Sequence, residues 1–160
     1  MAASLAPKAS PGTTLPLHVK GAVWINRAMK LLERGRILAF DYGVENSEAL
    51  LDRPLGEWLR TYRGHYRAGT PYAEPGTRDI TCDVAFDQLP GSPRISLQAD
   101  WLVSQGIESM TQWAREQWRD AAASPDSTAV AARQVLDEAA ALTSQTGLGA
   151  FLVAEWQISD

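Results

Sequence analysis

Apolar positions along this chain follow two spacings. Ala22, Ile25, Met29 and Leu32 recur at intervals of three and four residues, which places them on one helix face. Gly35 follows and predicts a left-handed helix stop. Ile37-Leu38-Ala39-Phe40 is an unbroken apolar run. It predicts a strand over 36–42 buried on both faces, as in a parallel sheet. Helix, turn, strand and then Asp41-Tyr42-Gly43 read as the end of a βαβ-type unit. Pro54 favours a short helix at 53–60. Ile80, Cys82, Val84 and Phe86 alternate and predict another strand, with 84–89 equally able to form a helical turn. LPGSP at 89–93 is a turn, and 94–96 a small strand before a helix at 98–105 closed by Gly106. Residues 108–123 read as helical, with Trp113 and Trp118 on broadly one side. SPDST breaks the pattern, Thr128 is a candidate N-cap for a helix at 129–143, and Gly147 and Gly149 lead into a last strand at 150–158.

One segment fits neither spacing. TYRGHYRAGTPYAEPGTRDIT, residues 61–81, holds three of the four tyrosines, one of the two histidines, three arginines, three glycines and two prolines. That mixture predicts a long irregular loop, and its place after the buried strand puts it beside the carboxyl edge of a sheet. Open α/β sheets bind their ligands there, and loops on a rigid scaffold commonly carry function. Residues 1–16, rich in Ala, Ser, Pro, Gly and Thr, read as a flexible leader, and 17–160 as one α/β body.

Composition narrows the functional classes. A net charge of −4 over 160 residues argues against a general nucleic-acid binder, which shows a basic stripe. The single cysteine, Cys82, forms no disulfide within the chain and fits a reducing cytoplasm. Without metal-ligand companions it reads as a packed thiol. No apolar run is long enough to span a membrane, and the N-terminus lacks the apolar core of a signal peptide.

The landmarks GRILAFDYG (35–43), Tyr62-Arg63 with His65, Pro75-Gly76, Asp79-Ile80-Thr81, the helix opening Gln98-Ala99-Asp100-Trp101-Leu102, Gly106-Ile107 and the closing Gly-Leu-Gly occur in this order. Together they resemble the C-terminal half of the MidA-like S-adenosylmethionine-dependent methyltransferases over residues 15–158. That family includes a mitochondrial complex I assembly factor associated with protein arginine methylation. The resemblance implies a partial Rossmann-like methyltransferase fold, α/β in class. Residues 36–42 would be its fifth strand and 150–158 its last, antiparallel one. It implies S-adenosylmethionine as cofactor and a protein side chain such as arginine as acceptor. Such enzymes hold the cofactor on a Gly-rich turn after the first strand and on an acidic residue ending the second. Neither occurs in this sequence. Gly147-Leu148-Gly149 precedes the last strand and is no substitute. The N-terminal methyltransferase half is therefore expected from another chain or from sequence missing upstream. A non-catalytic interaction module derived from the fold is the alternative.

Methyl transfer needs an acceptor aligned with the sulfonium methyl and, for some acceptors, a base. Asp41, directly after the buried strand, suits a cationic acceptor through charge-assisted bonds; capping of the next turn is the structural reading. His65 is the titratable group of the irregular segment and a candidate base, or a loop-holding hydrogen-bonding group. Tyr42, Tyr62 and Arg63 are candidates to line the acceptor pocket. Arg67 and Arg78 are candidates for carboxylate or carbonyl binding, Thr81 for a structural cap, and Trp101, Trp113 and Trp118 for core or interface anchors. His18 stands alone beside the leader and suggests no role.

Overall fold

The computed structural model describes residues 2–159. In chain order it forms helices α1 (Ala2–Leu5) and α2 (Val19–Met29), then strands β1 (Gly35–Asp41) and β2 (Gly43–Val44). Next come α3 (Leu55–Trp58), β3 (Leu59–Arg63), β4 (Tyr66–Arg67), β5 (Asp79–Cys82), β6 (Val84–Ala85) and β7 (Arg94–Leu97). The chain closes with α4 (Gln98–Ser104), α5 (Ile107–Met110), α6 (Gln112–Ala121), α7 (Ser127–Thr143) and β8 (Leu152–Ile158). It divides into two compact units, Met1–Arg94 with Ala154–Asp160, and Ile95–Val153.

The main sheet has the order β1-β8-β7, so the last strand lies between two earlier ones. Position explains burial. β8 is flanked on both sides, and Val153, Ala154 and Trp156 are almost fully buried. β1 is the edge strand, and its burial is only partial, with Arg36 and Phe40 exposed. The expectation of a strand buried on both faces is therefore corrected: an unbroken apolar run reports the pairing a strand is built for, and here β1 has a neighbour on one side. Glu155 of β8 bridges its neighbours through Arg36 (3.3 Å) and Arg94 (2.6 Å). The 89–93 turn packs on β8: Trp156 Nε1 donates to the Pro90 carbonyl at 2.6 Å. Gly91, at φ 80°, leaves no room for a Cβ beside Trp156 and Met29, each 3.0 Å from where it would stand. Helix α2 stops at Met29, well before Gly35, which instead opens β1.

The segment 61–81 is less irregular than its composition suggests. β3 turns back through Gly64-His65 into β4, and β5 pairs on the other side, giving an antiparallel sheet β4-β3-β5. Only 68–78 remains a loop, tied by Arg63 and Arg78 to Glu74 at 2.7 and 3.1 Å. The predicted helix at 53–60 shrinks to Leu55–Trp58, because Leu59–Arg63 is taken into the sheet. The alternation at 80–86 also divides. β5 belongs to this small sheet, while β6 pairs in parallel with β2, Gly43 against Val84 and Val44 against Ala85. At the break Asp83 is buried and Ile80 exposed, opposite to the simple alternating reading. Leu50, Trp58 and Ala85 form the local core, joined by Leu15, Val44, Leu59 and Cys82.

In the second unit Gly106 closes α4 in the left-handed conformation, as its sequence suggests. Buried Ala114, Ala129 and Ala132 let α6 and α7 approach closely. Asp126, rather than Thr128, caps α7, its carboxylate accepting the Ala129 N–H at 2.8 Å. Trp113 is about half exposed and is not a core anchor, whereas Trp118 carries Arg133 over its ring. Among the described residues no helix is long and apolar enough to cross a membrane.

Candidate functional site

The carboxyl end of β1 carries the strongest candidate. Asp41 closes the strand, and its Oδ1 accepts the Tyr42 N–H at 2.9 Å. Beside it opens a cavity of about 210 Å³, walled by Trp24, Phe40, Phe86 and Leu89, with Asp41 and His18 as its titratable groups. Burial, aided by the nearby Asp83 charge, pushes the Asp41 carboxyl above its ordinary range, against the Tyr42 N–H, His18 and Arg60. A carboxylate in an apolar pocket suits a cationic ligand: pairing restores the solvation that burial removes.

Behind Asp41 lies a charge cluster with no obvious signature in the sequence. Asp83 is 4 % exposed. Arg60 meets one of its carboxylate oxygens at 2.7 Å and Arg53 the other at 2.8 Å. The Arg60 guanidinium also covers the Tyr42 ring, 4.5 Å from its centroid. Tyr42, Arg60 and Asp83 thus form one connected group, and alternation along β3 puts Tyr62 on the same strand face as Arg60. Asp83 and Arg60 were unremarkable in the linear pattern. Asp83 falls on a polar position of the alternating DITCDVAF, so the linear pattern carried no signal of its burial.

His18 is the second correction. Far from standing alone, its Nε2 accepts the Ala85 N–H at 3.0 Å, and its own N–H donates to Gln88 Oε1 at 2.9 Å. Gln88 in turn donates to Pro16 O and Ser47 Oγ, and Ser47 is held by Asp87. Burial lowers the His18 pKa below its ordinary 6.5, although Asp83, Asp87 and Asp41 work in the other direction. A ring that accepts an N–H must be neutral at that nitrogen. The native state therefore binds fewer protons here than the unfolded chain, and stability rises with pH through this window. His18's contribution is complete above 6.5 and is lost as pH falls through the lowered native value. Urea denaturation of wild type and His18→Asn between pH 5 and 7.5 checks this. The wild-type slope should be positive and flatter in the variant; equal slopes would contradict the assignment.

The other sequence candidates lie on the hairpin. His65 is exposed at the turn between β3 and β4, and Tyr62 is half-buried within β3. Arg63 is engaged by Glu74 and Thr77. Asp41 and Tyr42 are adjacent in sequence and at the site, whereas His65 lines neither the Asp41 cavity nor the Asp83 cluster. Thr81, in β5, caps no helix. Cys82 packs against the Leu50 cluster, and burial raises its pKa, as suits an inert thiol.

The chain matches, over residues 1–107, the family described as "Putative S-adenosyl-L-methionine-dependent methyltransferase". It belongs to this methyltransferase family. The resemblance read from the ordered motifs is thereby borne out. Two solved structures share the fold, both COG1565 superfamily proteins from Burkholderia thailandensis. One is 21 % identical with a TM-score of 0.70, covering 94 % of this chain and 40 % of its own. The other, bound to S-adenosyl-homocysteine, is 22 % identical with a TM-score of 0.70, covering 94 % and 38 %. The chain thus spans about two fifths of the length of these relatives, and its fold is the partial Rossmann-like α/β arrangement expected. No curated protein matches it.

The family's cofactor is S-adenosylmethionine, and the described residues do not fit it. A cofactor cradle needs a strand, a Gly-rich turn and a helix N-terminus in succession. β1 instead runs into β2, and a Cβ at Gly43 would be blocked by the Val84 backbone, so this glycine serves strand packing. Gly149 faces the Thr143 and Ser144 backbone at the end of α7.

Proposed function

We propose that this chain supplies the acceptor side of an S-adenosylmethionine-dependent methyltransferase acting on a protein side chain, of which an arginine guanidinium fits best. The carrying observation is the half-buried Asp41 carboxylate at the end of β1, on the wall of a cavity lined otherwise by aromatic and aliphatic groups and the His18 ring. Cationic side chains are held by such a combination through one charge-assisted bond and aromatic faces. In this reading Asp41 grips the acceptor and Tyr42, braced by Arg60, shapes its approach. Tyr62 shares the strand face of Arg60, whereas Arg63 and His65 stand on the hairpin outside the cavity lining and take no part in gripping the acceptor. The cofactor is held outside the residues described, and the single packed thiol suits a cytoplasmic setting.

The test is calorimetric titration of the chain with an arginine-containing peptide and with its citrulline counterpart, which has the same shape without the charge. Saturable binding of the arginine peptide alone, abolished by Asp41→Asn and unchanged by Asp120→Asn, supports the reading. No saturable binding, or equal binding of both peptides, would sink it. Since the described residues form no cofactor cradle, S-adenosylmethionine alone should give no binding heat.

A further inference from the structure

The Asp41 cavity is short of hydrogen-bond acceptors. Trp24, Ile25, Phe40, Val84, Phe86 and Leu89 make most of its wall, with Asp41 and His18 as the polar side chains. His18 Nε2 is taken by the Ala85 N–H, so the neutral ring keeps its hydrogen on Nδ1 and has no acceptor to spare. Asp41 Oδ1 already accepts the Tyr42 N–H. Among the described side chains of the lining, the Asp41 carboxylate is thus the acceptor that remains. Three aromatic rings stand with it, Trp24 from α2, Phe40 from β1 and Phe86 from the residue after β6.

An arginine guanidinium carries five N–H donors. One carboxylate takes one or two of them, and those turned to the aromatic and aliphatic walls go without a partner. A donor moved out of water unpaired costs free energy. Methylation of the guanidinium removes such donors and keeps the charge. The methyl groups put in their place are what apolar walls favour, and aromatic cages hold methylated cations by the same combination.

We propose that this cavity binds a methylated guanidinium more tightly than an unmethylated one, with both methyl groups on the nitrogen that stands among Trp24, Phe40 and Phe86 and the unmodified nitrogen on Asp41. The inference rests on the functional reading above, in that a cationic side chain enters at Asp41, and it names the methylation state the site holds best. A product held more firmly than its substrate is released more slowly.

The probes are three peptides of one sequence, with arginine, ω-N,N-dimethylarginine or norleucine at a single position. They are titrated calorimetrically into the chain at about pH 8, where His18 is neutral. The dimethylated peptide should bind about tenfold more tightly than the arginine peptide, about threefold for each methyl group moved onto apolar walls. Trp24→Ala and Phe40→Ala, both at exposed positions, should each cut that ratio to about threefold or less while both peptides still bind. Circular dichroism confirms that each variant is folded, and either variant suffices. Equal binding of the arginine and dimethylated peptides overturns the inference and leaves the acceptor reading standing. A ratio unchanged in the variants also overturns it. So does a norleucine peptide that binds as tightly as the dimethylated one, since the cavity is then merely apolar. Binding of the dimethylated peptide alone supports the inference and sinks the acceptor reading. No binding by any of the three overturns both.

Discussion

Replacing Asp83 by Ala lowers the stability of the folded chain by about 3–5 kcal/mol, the usual cost of removing one partner from a buried ion pair. The size follows from what is left behind. Asp83 is 4 % exposed and meets Arg60 at 2.7 Å and Arg53 at 2.8 Å. The Arg60 side chain is only 14 % exposed, so without Asp83 its charge is held largely out of water with the Tyr42 ring and the Glu57 carbonyl as remaining support. Arg53, at 32 %, can turn to solvent or to Glu57. Arg53→Ala should therefore cost no more than about 1 kcal/mol, as partly exposed pairs do, and Arg60→Ala considerably more. Asp83→Asn keeps the shape and one acceptor and should fall between wild type and Asp83→Ala. Urea unfolding curves at constant m-value decide this. A loss below about 1 kcal/mol for Asp83→Ala would show that water reaches the cluster and that its ionic bonds are not structural. With typical domain stabilities of about 5–15 kcal/mol, the predicted loss takes a large share of the total.

That prediction depends on contacts the linear pattern did not reveal, and the reasons are specific. Elements set by local spacing were legible. The Ile37–Phe40 run became β1, Arg94–Ser96 and 98–105 became β7 and α4 with Gly106 as stop, and the strand after Gly147-Leu148-Gly149 became β8. Elements set by distant pairing were not. Nothing local tells Leu59–Arg63 that β4 and β5 will flank it, so a helix begun by Pro54 was extended too far. DITCDVAF reads as one strand because alternation cannot show that its halves join different sheets. The candidate site divides in the same way. Asp41 and Tyr42 were legible because a charged residue ending an apolar strand marks the ligand-binding edge of an α/β sheet. His18 was not: its partners Ala85 and Gln88 lie 67 and 70 residues away. Arg60 and Asp83 meet across a register that only the folded chain defines.

Gly43→Ala is the most damaging small substitution expected near the site. A methyl group there would sit inside contact distance of the Val84 carbonyl oxygen, 2.9 Å from its carbon and 3.0 Å from its nitrogen. All three atoms are backbone of the parallel partner strand, so no side-chain rotation relieves the clash, and β2 must move away from β6. Overpacking of this kind costs about 1–3 kcal/mol and occasionally more; with rigid backbone as the obstacle the upper end is expected. The displacement should not stay local. Val84 N–H donates to the Tyr42 carbonyl at 3.1 Å, and the next residue, Ala85, donates to His18. Moving β6 therefore disturbs both walls of the Asp41 cavity, and arginine-peptide binding should fall although Gly43 does not line that cavity. Gly56→Ala is the control. Nothing lies within 4 Å of its Cβ position, and it sits in helix α3, so stability should be unchanged or slightly raised. If Gly43→Ala keeps wild-type stability and peptide affinity, the close β2–β6 pairing is not what holds Asp41 and Tyr42 in place. If it loses both while Gly56→Ala loses neither, the short parallel pair is the frame of the acceptor site.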